Sequence, residues 1–147
     1  MHDIHWIDRA ELARAGSHDP DTRVGAVIAI NEKFIAQGAN RLPNGVKLLE
    51  ERLKRPAKYN WMVHAEVNCI HSAIRYDKSK IDFFYATLYS TLPLCGECMK
   101  SVIQSGIRRV VAPDRMNFVA ERSQDWQLSM WRGEEMAQEA NVVMVKT

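Results

Sequence analysis

His64-Ala65-Glu66 and Cys95-Gly96-Glu97-Cys98 are the two stretches on which the interpretation of this chain depends, and thirty residues separate His64 from Cys95. One imidazole and two thiols are three suitable ligands for a zinc ion, and they leave its fourth tetrahedral position to water. Open zinc sites support chemistry because water on the metal loses a proton near neutral pH. Glu66 supplies a carboxylate beside that water, in a position to carry protons.

Two other interpretations of these residues are a closed structural zinc knuckle and a redox Cys-x-x-Cys pair. A closed knuckle needs a fourth ligand, and the sequence offers neither a fourth cysteine nor a well-spaced second histidine. No thioredoxin-like pattern surrounds Cys95 and Cys98. Cys69 is the remaining cysteine, and we interpret it as a buried free thiol in a reducing environment. An open zinc site is therefore favoured.

Length and charge restrict the class of protein. A chain of 147 residues predicts one domain spanning residues 1–147. The formal net charge of +2 is not that of a protein that binds a nucleic-acid polymer. The first residues lack the features of a signal peptide, and no apolar run approaches the roughly 20 residues that span a bilayer. We expect a cytoplasmic protein with neither a membrane nor a nucleic-acid polymer as partner.

Hydrophobic periodicity predicts helices and strands that alternate along the chain. The first helix is expected to bury Ile4, Ile7, Leu12 and Ala15 on one face. The alternation predicts a central sheet covered on both faces, with parallel later strands. Helices are expected near 4–15, 62–73, 95–106 and 129–140, and strands near 24–30, 34–38, 83–91, 109–112 and 142–145.

The least regular part of the chain is residues 39–61, with a short helix expected near 48–54. A connection this long is uncommon in a compact domain unless it has a function. It leads directly to His64, so it could cover the mouth of an active site, and a solvated insertion is an equally good interpretation.

Several of these segments resemble a known family. A His-x-Glu motif followed by Cys-x-x-Cys is typical of zinc-dependent nucleobase deaminases, in which the glutamate is an acid/base and not a ligand. The chain resembles the deoxycytidylate (dCMP) deaminases of the cytidine deaminase superfamily. The resemblance covers the segments 17–28, 38–45, 64–68 and 132–143 together with the two cysteines.

The resemblance implies an α/β fold of the cytidine deaminase type: a three-layer α/β/α sandwich with a mixed five-stranded central sheet. It also implies assembly into homo-oligomers, as dimers or hexamers. The implied reaction is the hydrolytic conversion of dCMP to dUMP and ammonia, with Zn²⁺ as cofactor. A deaminase acting on another free base, a nucleoside or a modified cytosine nucleotide is an alternative on the same scaffold. A non-catalytic zinc-binding module is a further alternative.

The resemblance also assigns roles to residues. His64, Cys95 and Cys98 would hold the metal, and Glu66 would take the proton from the attacking water, then protonate ring N3 and later the departing amine. Asn40 would contact the sugar or the base edge, and the backbone of Ala65 would hold the base.

The sequence offers two candidates for binding a phosphate. Arg23 lies beside the predicted first strand and Arg41 follows Asn40. A guanidinium matches a phosphate with two parallel hydrogen bonds, although a solvated surface arginine is an equally good interpretation of Arg23. Trp126 and Trp131 are expected in the core or at a subunit contact.

Overall fold

The computed structural model describes residues 2–76 and 81–147. A five-stranded sheet lies at its centre, in the order β2-β1-β3-β4-β5. The pairs β1–β2 and β1–β3 are antiparallel, whereas β3–β4 and β4–β5 are parallel. The strands are β1 (Gly25–Ile30), β2 (Lys33–Ala39), β3 (Ala86–Ser90), β4 (Arg109–Ala112) and β5 (Val143–Lys146). The helices are α1 (His2–Ala13), α2 (Lys58–Trp61), α3 (Ala65–Tyr76), α4 (Gly96–Ser105) and α5 (Gln124–Glu139).

Alternate residues of the central strands point to opposite faces of the sheet and form two apolar clusters. Val27 and Val111 pack with Trp6 and Ala10 of α1 on one face. Their neighbours in the strands pack on the other face against α3, α4 and α5, in a larger cluster that includes Ile28, Leu88, Val110, Cys69, Met99 and Ala137. The predicted mixed five-stranded sheet between helical layers is thus confirmed.

The predicted buried face of α1 was wrong at Ile4 and Leu12, whereas Ile7 is partly buried and packs against the cluster around Trp6. Ile4 and Leu12 are 66% and 72% exposed, and the helix buries Trp6, Ala10 and Ala13 instead. Polar contacts fix its rotation: Asp3 receives hydrogen bonds from the Arg109 guanidinium at 2.9 and 2.6 Å, and one from the Tyr89 hydroxyl at 2.7 Å. Periodicity alone did not reveal these partners, which lie on distant strands.

Two other elements begin several residues from the expected positions. Helix α5 begins at Gln124 rather than at residue 129, because the Ser123 hydroxyl accepts a hydrogen bond from the Trp126 amide and caps it. The third strand begins at Ala86, since Phe83–Tyr85 forms a 3₁₀ turn. Residues 39–61 contain a 3₁₀ turn at Glu50–Arg52 and the short helix α2.

One glycine allows the sheet and the helix that follows His64 to approach closely. A Cβ atom on Gly38 of β2 would lie 2.5 Å from the Cys69 amide nitrogen and 2.6 Å from the Ala65 carbonyl oxygen, both in α3. Only glycine fits here, and α3 therefore begins directly over the antiparallel half of the sheet.

Candidate active site

The three predicted ligands lie at the beginnings of two adjacent helices. His64 directly precedes α3, Cys95 is the N-terminal cap residue of α4, and Cys98 lies in the first turn of α4. The amide groups at such termini favour negative charge, which suits two thiolates. The Gly96 amide donates to the Ser129 hydroxyl at 2.9 Å and so fixes the beginning of α4 against α5.

The segment before α3 is fixed by backbone and side-chain hydrogen bonds. Arg41 and Val63 form a two-way backbone bridge, with N···O distances of 3.1 and 2.7 Å. The side-chain carboxamide nitrogen of Asn68 donates to the Ala39 carbonyl oxygen at 2.8 Å. These contacts determine where His64 enters the helix.

The ligand atoms fit one metal ion. His64 Nδ1 lies 3.2 Å from Cys98 Sγ and 3.5 Å from Cys95 Sγ, and all three atoms are within 4.8 Å of one another. Tetrahedral zinc with ordinary bond lengths separates a nitrogen from a sulfur ligand by roughly 3.6 Å. Among residues 2–76 and 81–147, no other His, Cys, Asp or Glu joins this group. The donor set therefore suits zinc and leaves one corner without a protein ligand of these types.

The proton affinities of the cluster are strongly shifted. A hydrogen bond from the Cys98 thiol, with support from His64, lowers the pKa of Cys95 to about 4. The pKa of Cys98 is raised by the same hydrogen bond and by burial. Hydrogen bonding to Cys95 raises the pKa of His64 to about 8 against the effect of burial. Only Cys95 is thereby held as a thiolate at neutral pH, so the binding of a metal ion would displace the protons of His64 and Cys98.

Glu66 lies beside this cluster and is only 4% exposed. The Ser90 hydroxyl at the end of β3 donates to its Oε1 at 3.0 Å. Burial raises the pKa of the Glu66 carboxyl, and hydrogen bonds from Cys98 and Ser90 partly oppose the shift. A buried carboxyl with a raised pKa is suited to accept and return a proton near neutral pH.

His64, Glu66 and Cys95 line a half-open cleft. Ala65 and Asn40 also line it, as expected. The Asn40 carboxamide oxygen accepts hydrogen bonds from the Ser17 hydroxyl and the Val24 amide, and its nitrogen donates to the Thr22 carbonyl at 2.8 Å. Within the described part of the chain, these contacts leave one Asn40 N–H for a ligand.

The structure does not bring the predicted phosphate binders to the cleft. The Arg23 side chain is exposed, and Arg41 lines a separate groove beside α3. The basic side chains that line the cleft are Arg55, Lys58 and Arg122.

Two aromatic residues also line the cleft, and neither was expected there. Tyr59 comes from the irregular segment 39–61, so part of that segment does border the cleft. Trp126 comes from the first turn of α5. Because α5 was expected to begin at residue 129, Trp126 was not predicted to lie in the first turn of a helix that borders this site.

Comparison with known proteins gives a consistent result. Residues 2–113 match the family described as the cytidine and deoxycytidylate deaminase zinc-binding region. A deoxycytidylate deaminase of Mus musculus is 37% identical over 114 residues, which cover 73% of this chain and 61% of that protein. An uncharacterized deaminase of Aliivibrio fischeri is 34% identical over 110 residues, covering 75% of this chain and 71% of that one. The chain thus spans less than two thirds of the length of the mouse enzyme.

A solved structure shares the fold over nearly its whole length. The dCMP deaminase of cyanophage S-TIM5, crystallised with dCMP and dUMP, superimposes with a TM-score of 0.72 at 22% identity. The match covers 99% of this chain and 96% of the phage protein.

Proposed function

The chain belongs to the deoxycytidylate deaminase family of the cytidine deaminase superfamily, and from this premise we propose that it converts dCMP to dUMP and ammonia by hydrolysis. The observation that carries the proposal is the position of Glu66, a buried carboxyl beside a three-ligand metal cluster in an open cleft. A purely structural metal site has no use for such a group. His64, Cys95 and Cys98 would hold the metal, and zinc, when bound, supplies a Lewis acid that activates water.

Glu66 would manage the protons of the reaction. Replacing the 4-amino group by oxygen requires that protons leave the attacking water and that one reaches the departing amine. A single carboxyl can do both: it would take one proton from the attacking water and pass it to ring N3, then take the second from the hydroxyl group formed at C4 and pass it to the departing amine. The Ser90 hydroxyl holds the Glu66 carboxyl in one orientation during this exchange. The free N–H of Asn40 is available to a sugar hydroxyl or a base acceptor, and the backbone of Ala65 to the base.

We also propose that residues 1–147 form one deaminase domain, since the described elements share one sheet and its two apolar clusters. Homo-oligomers, as dimers or hexamers, and a cytoplasmic location remain predictions. In the described ranges, no helix combines the length and apolar character that crossing a bilayer requires.

The test is the Glu66→Gln variant with dCMP as substrate. Loss of the proton carrier is expected to lower kcat by a hundredfold or more. Zinc content, measured by atomic emission, is expected to stay at wild-type stoichiometry, because Glu66 is not a ligand. Glu97→Gln is the matched control: its carboxylate lies between the two thiols in sequence but is exposed and paired with Lys100 at 2.8 Å.

Ammonia and dUMP are both quantified, so that the base product is identified. Full activity of Glu66→Gln would refute the assigned role. If wild-type protein released ammonia from cytosine, a nucleoside or a guanine base but not from dCMP, the chain would be a deaminase for another substrate.

A further inference from the structure

Ser90 is a buried serine at the end of β3, and its side chain faces the helix that carries Glu66. Alternate residues of a strand share one face, and Ala86 and Leu88 lie in the same apolar cluster as residues of α3. Ser90 continues this series and is only 5% exposed. The strand therefore places one hydroxyl group at the edge of the apolar cluster, within reach of Glu66.

The backbone next to Ser90 is fixed by β1. The Thr91 amide donates to the Gly25 carbonyl oxygen at 3.0 Å, and the Gly25 amide donates to the Thr91 hydroxyl at 3.1 Å. Ser90 itself pairs with Ala26 in the antiparallel register. The position of Ser90 is thus set by the sheet rather than by the helix whose side chain it contacts.

The contacts of Ser90 Oγ determine the direction of its proton. The Leu92 amide nitrogen lies 3.4 Å from this oxygen and can only donate, so it approaches a lone pair of Ser90 Oγ. The hydroxyl proton then points to Glu66 Oε1 at 3.0 Å. Oε1 is therefore held as an acceptor, and a proton carried by this carboxyl belongs on its second oxygen, Oε2.

The Cys98 thiol is a second donor to Glu66, but it does not persist. Cys98 belongs to the metal cluster, and a thiol loses its proton when it binds a metal. Of these two donors, Ser90 is the one that remains when the site is loaded. A hydrogen bond to an ionised carboxylate is among the stronger ones in proteins, so it can hold the carboxyl in one orientation.

We propose that Ser90 is a positioning residue that acts through Glu66: it holds Oε1 as an acceptor and confines the uptake and return of protons to Oε2. This inference rests on the proposed function and deepens it by naming the group that aims the proton carrier. Proton transfer needs a distance and an alignment close to those of a hydrogen bond. A Glu66 carboxyl that is free to rotate spends less time in the productive orientation, so kcat depends on Ser90 whereas substrate binding does not.

The test measures kcat and KM for dCMP with the zinc-loaded protein. Ser90→Ala is expected to lower kcat roughly 10- to 100-fold with little change in KM, as expected for an interaction that matters only in the transition state. Ser90→Thr keeps the hydroxyl and should retain most of the rate. Ser90→Val has the shape of threonine without the hydroxyl, and should lose as much as Ser90→Ala.

Ser105→Ala is the matched control. Ser105 is a half-buried serine whose hydroxyl donates to the Val102 carbonyl oxygen at 2.7 Å, and it does not line the cleft. Its replacement should leave kcat and KM unchanged. Urea unfolding of each variant checks the fold.

A double-mutant cycle shows whether Ser90 acts through Glu66. In the Glu66→Gln background, adding Ser90→Ala should change the residual rate by less than about twofold, because the proton carrier is already absent. An equal loss in both backgrounds would overturn the assignment. Wild-type kcat in Ser90→Ala, a rise in KM alone, or equal losses in Ser90→Thr and Ser90→Val would overturn it too.

Infrared difference spectroscopy gives a readout that needs no turnover. Subtracting the spectrum of Glu66→Gln from that of wild type isolates the band of the Glu66 carboxyl, and the same subtraction in the Ser90→Ala background should give a shifted band. If another base, nucleoside or nucleotide is deaminated instead of dCMP, the kinetic comparison uses that substrate; the proposed reaction then fails, and the same losses would support the assignment. If no substrate is deaminated, the reaction fails, a shifted band supports the assignment and an unshifted band overturns it.

Discussion

Replacing Lys58 by methionine is expected to lower the free energy of unfolding by about 3 kcal/mol at pH 7. Lys58 and Asp19 are 3% and 6% exposed, and Lys58 Nζ donates to both carboxylate oxygens at 3.1 and 3.0 Å. Methionine keeps an apolar stem of similar length but removes the charge. The Asp19 carboxylate would then stay buried without its cation.

The magnitude follows from what remains around Asp19. Removing one partner of a buried ion pair costs about 3–5 kcal/mol because the other charge is left uncompensated. Two backbone amides, those of Asp21 and Thr22, still donate to Asp19 Oδ1 at 2.8 and 3.1 Å, which favours the low end of that range. The contact of Lys58 with the half-exposed Asp21 carboxylate adds little. In the double variant Lys58→Met/Asp19→Asn, the loss of unfolding free energy should be smaller than the sum of the two single losses by on the order of 2 kcal/mol.

The pH dependence of the free energy of unfolding is a second, independent test of the Lys58–Asp19 ion pair. Burial is the largest influence on Asp19 and raises its pKa, but hydrogen bonds from Asp21, Thr22 and Lys58 together lower the pKa below 3.8. In wild type, the resulting stability is present above that value and is lost as pH falls through the lowered pKa. In Lys58→Met the effect of burial is less opposed, so the pKa of Asp19 rises. The stability deficit of the variant should therefore shrink as pH falls from 7 to 4.5.

Urea unfolding followed by circular dichroism, at fixed free zinc, measures both effects. Lys100→Met is the control, because Lys100 pairs with Glu97 on the exposed side of α4 and should cost less than about 0.5 kcal/mol. Wild-type stability of Lys58→Met at pH 7, or a deficit that grows on acidification, would refute the reasoning.

Two further predictions concern packing and charge. Gly38→Ala should lower the free energy of unfolding in urea by about 2–4 kcal/mol, because the new Cβ atom would meet the backbone of α3. Gly45→Ala is the control: Gly45 lies in open space at φ +83°, and its replacement should cost only about 1 kcal/mol. Equal losses would contradict the argument that Gly38 permits a close approach of β2 and α3. Hydrogen bonds from Arg109 lower the pKa of Asp3 to about 2. The ionised Asp3 carboxylate therefore contributes about 1–2 kcal/mol to the free energy of unfolding above pH 4, and this contribution is lost toward pH 2. The stability difference between wild type and Asp3→Asn should therefore narrow between pH 6 and pH 3, and a constant difference would count against this pair.

Much of the fold was predictable because its signals are local. The β-branched run that forms β1 and the Gly106 cap of α4, at φ +94°, follow from residue type and near neighbours alone. The rotation of α1 was not predictable in this way. Ile4 and Leu12 offered an apolar face as good as the true one, and the choice was made by the contacts of α1 with other parts of the chain.

The expected phosphate binders lie outside the cleft for the same kind of reason. Arg23 and Arg41 were attractive because they lie close in sequence to a strand and to Asn40. Whether a basic side chain is available to a ligand depends instead on which carboxylates surround it in space. Lys58 lines the cleft, yet its charge is neutralised by the nearby Asp19 and Asp21.

By itself, the sequence determined the chemistry that the site can hold: an imidazole, two thiols and a carboxyl at spacings that suit one metal and one proton carrier. Coordination preference belongs to side-chain type, so residues in short motifs are enough to reveal it. Only the tertiary structure decided that Lys58 of the cleft is paired with two aspartates, and which face of α1 is buried. Both depend on burial and on partners tens of residues away, since electrostatic and packing energies are set by distance in space.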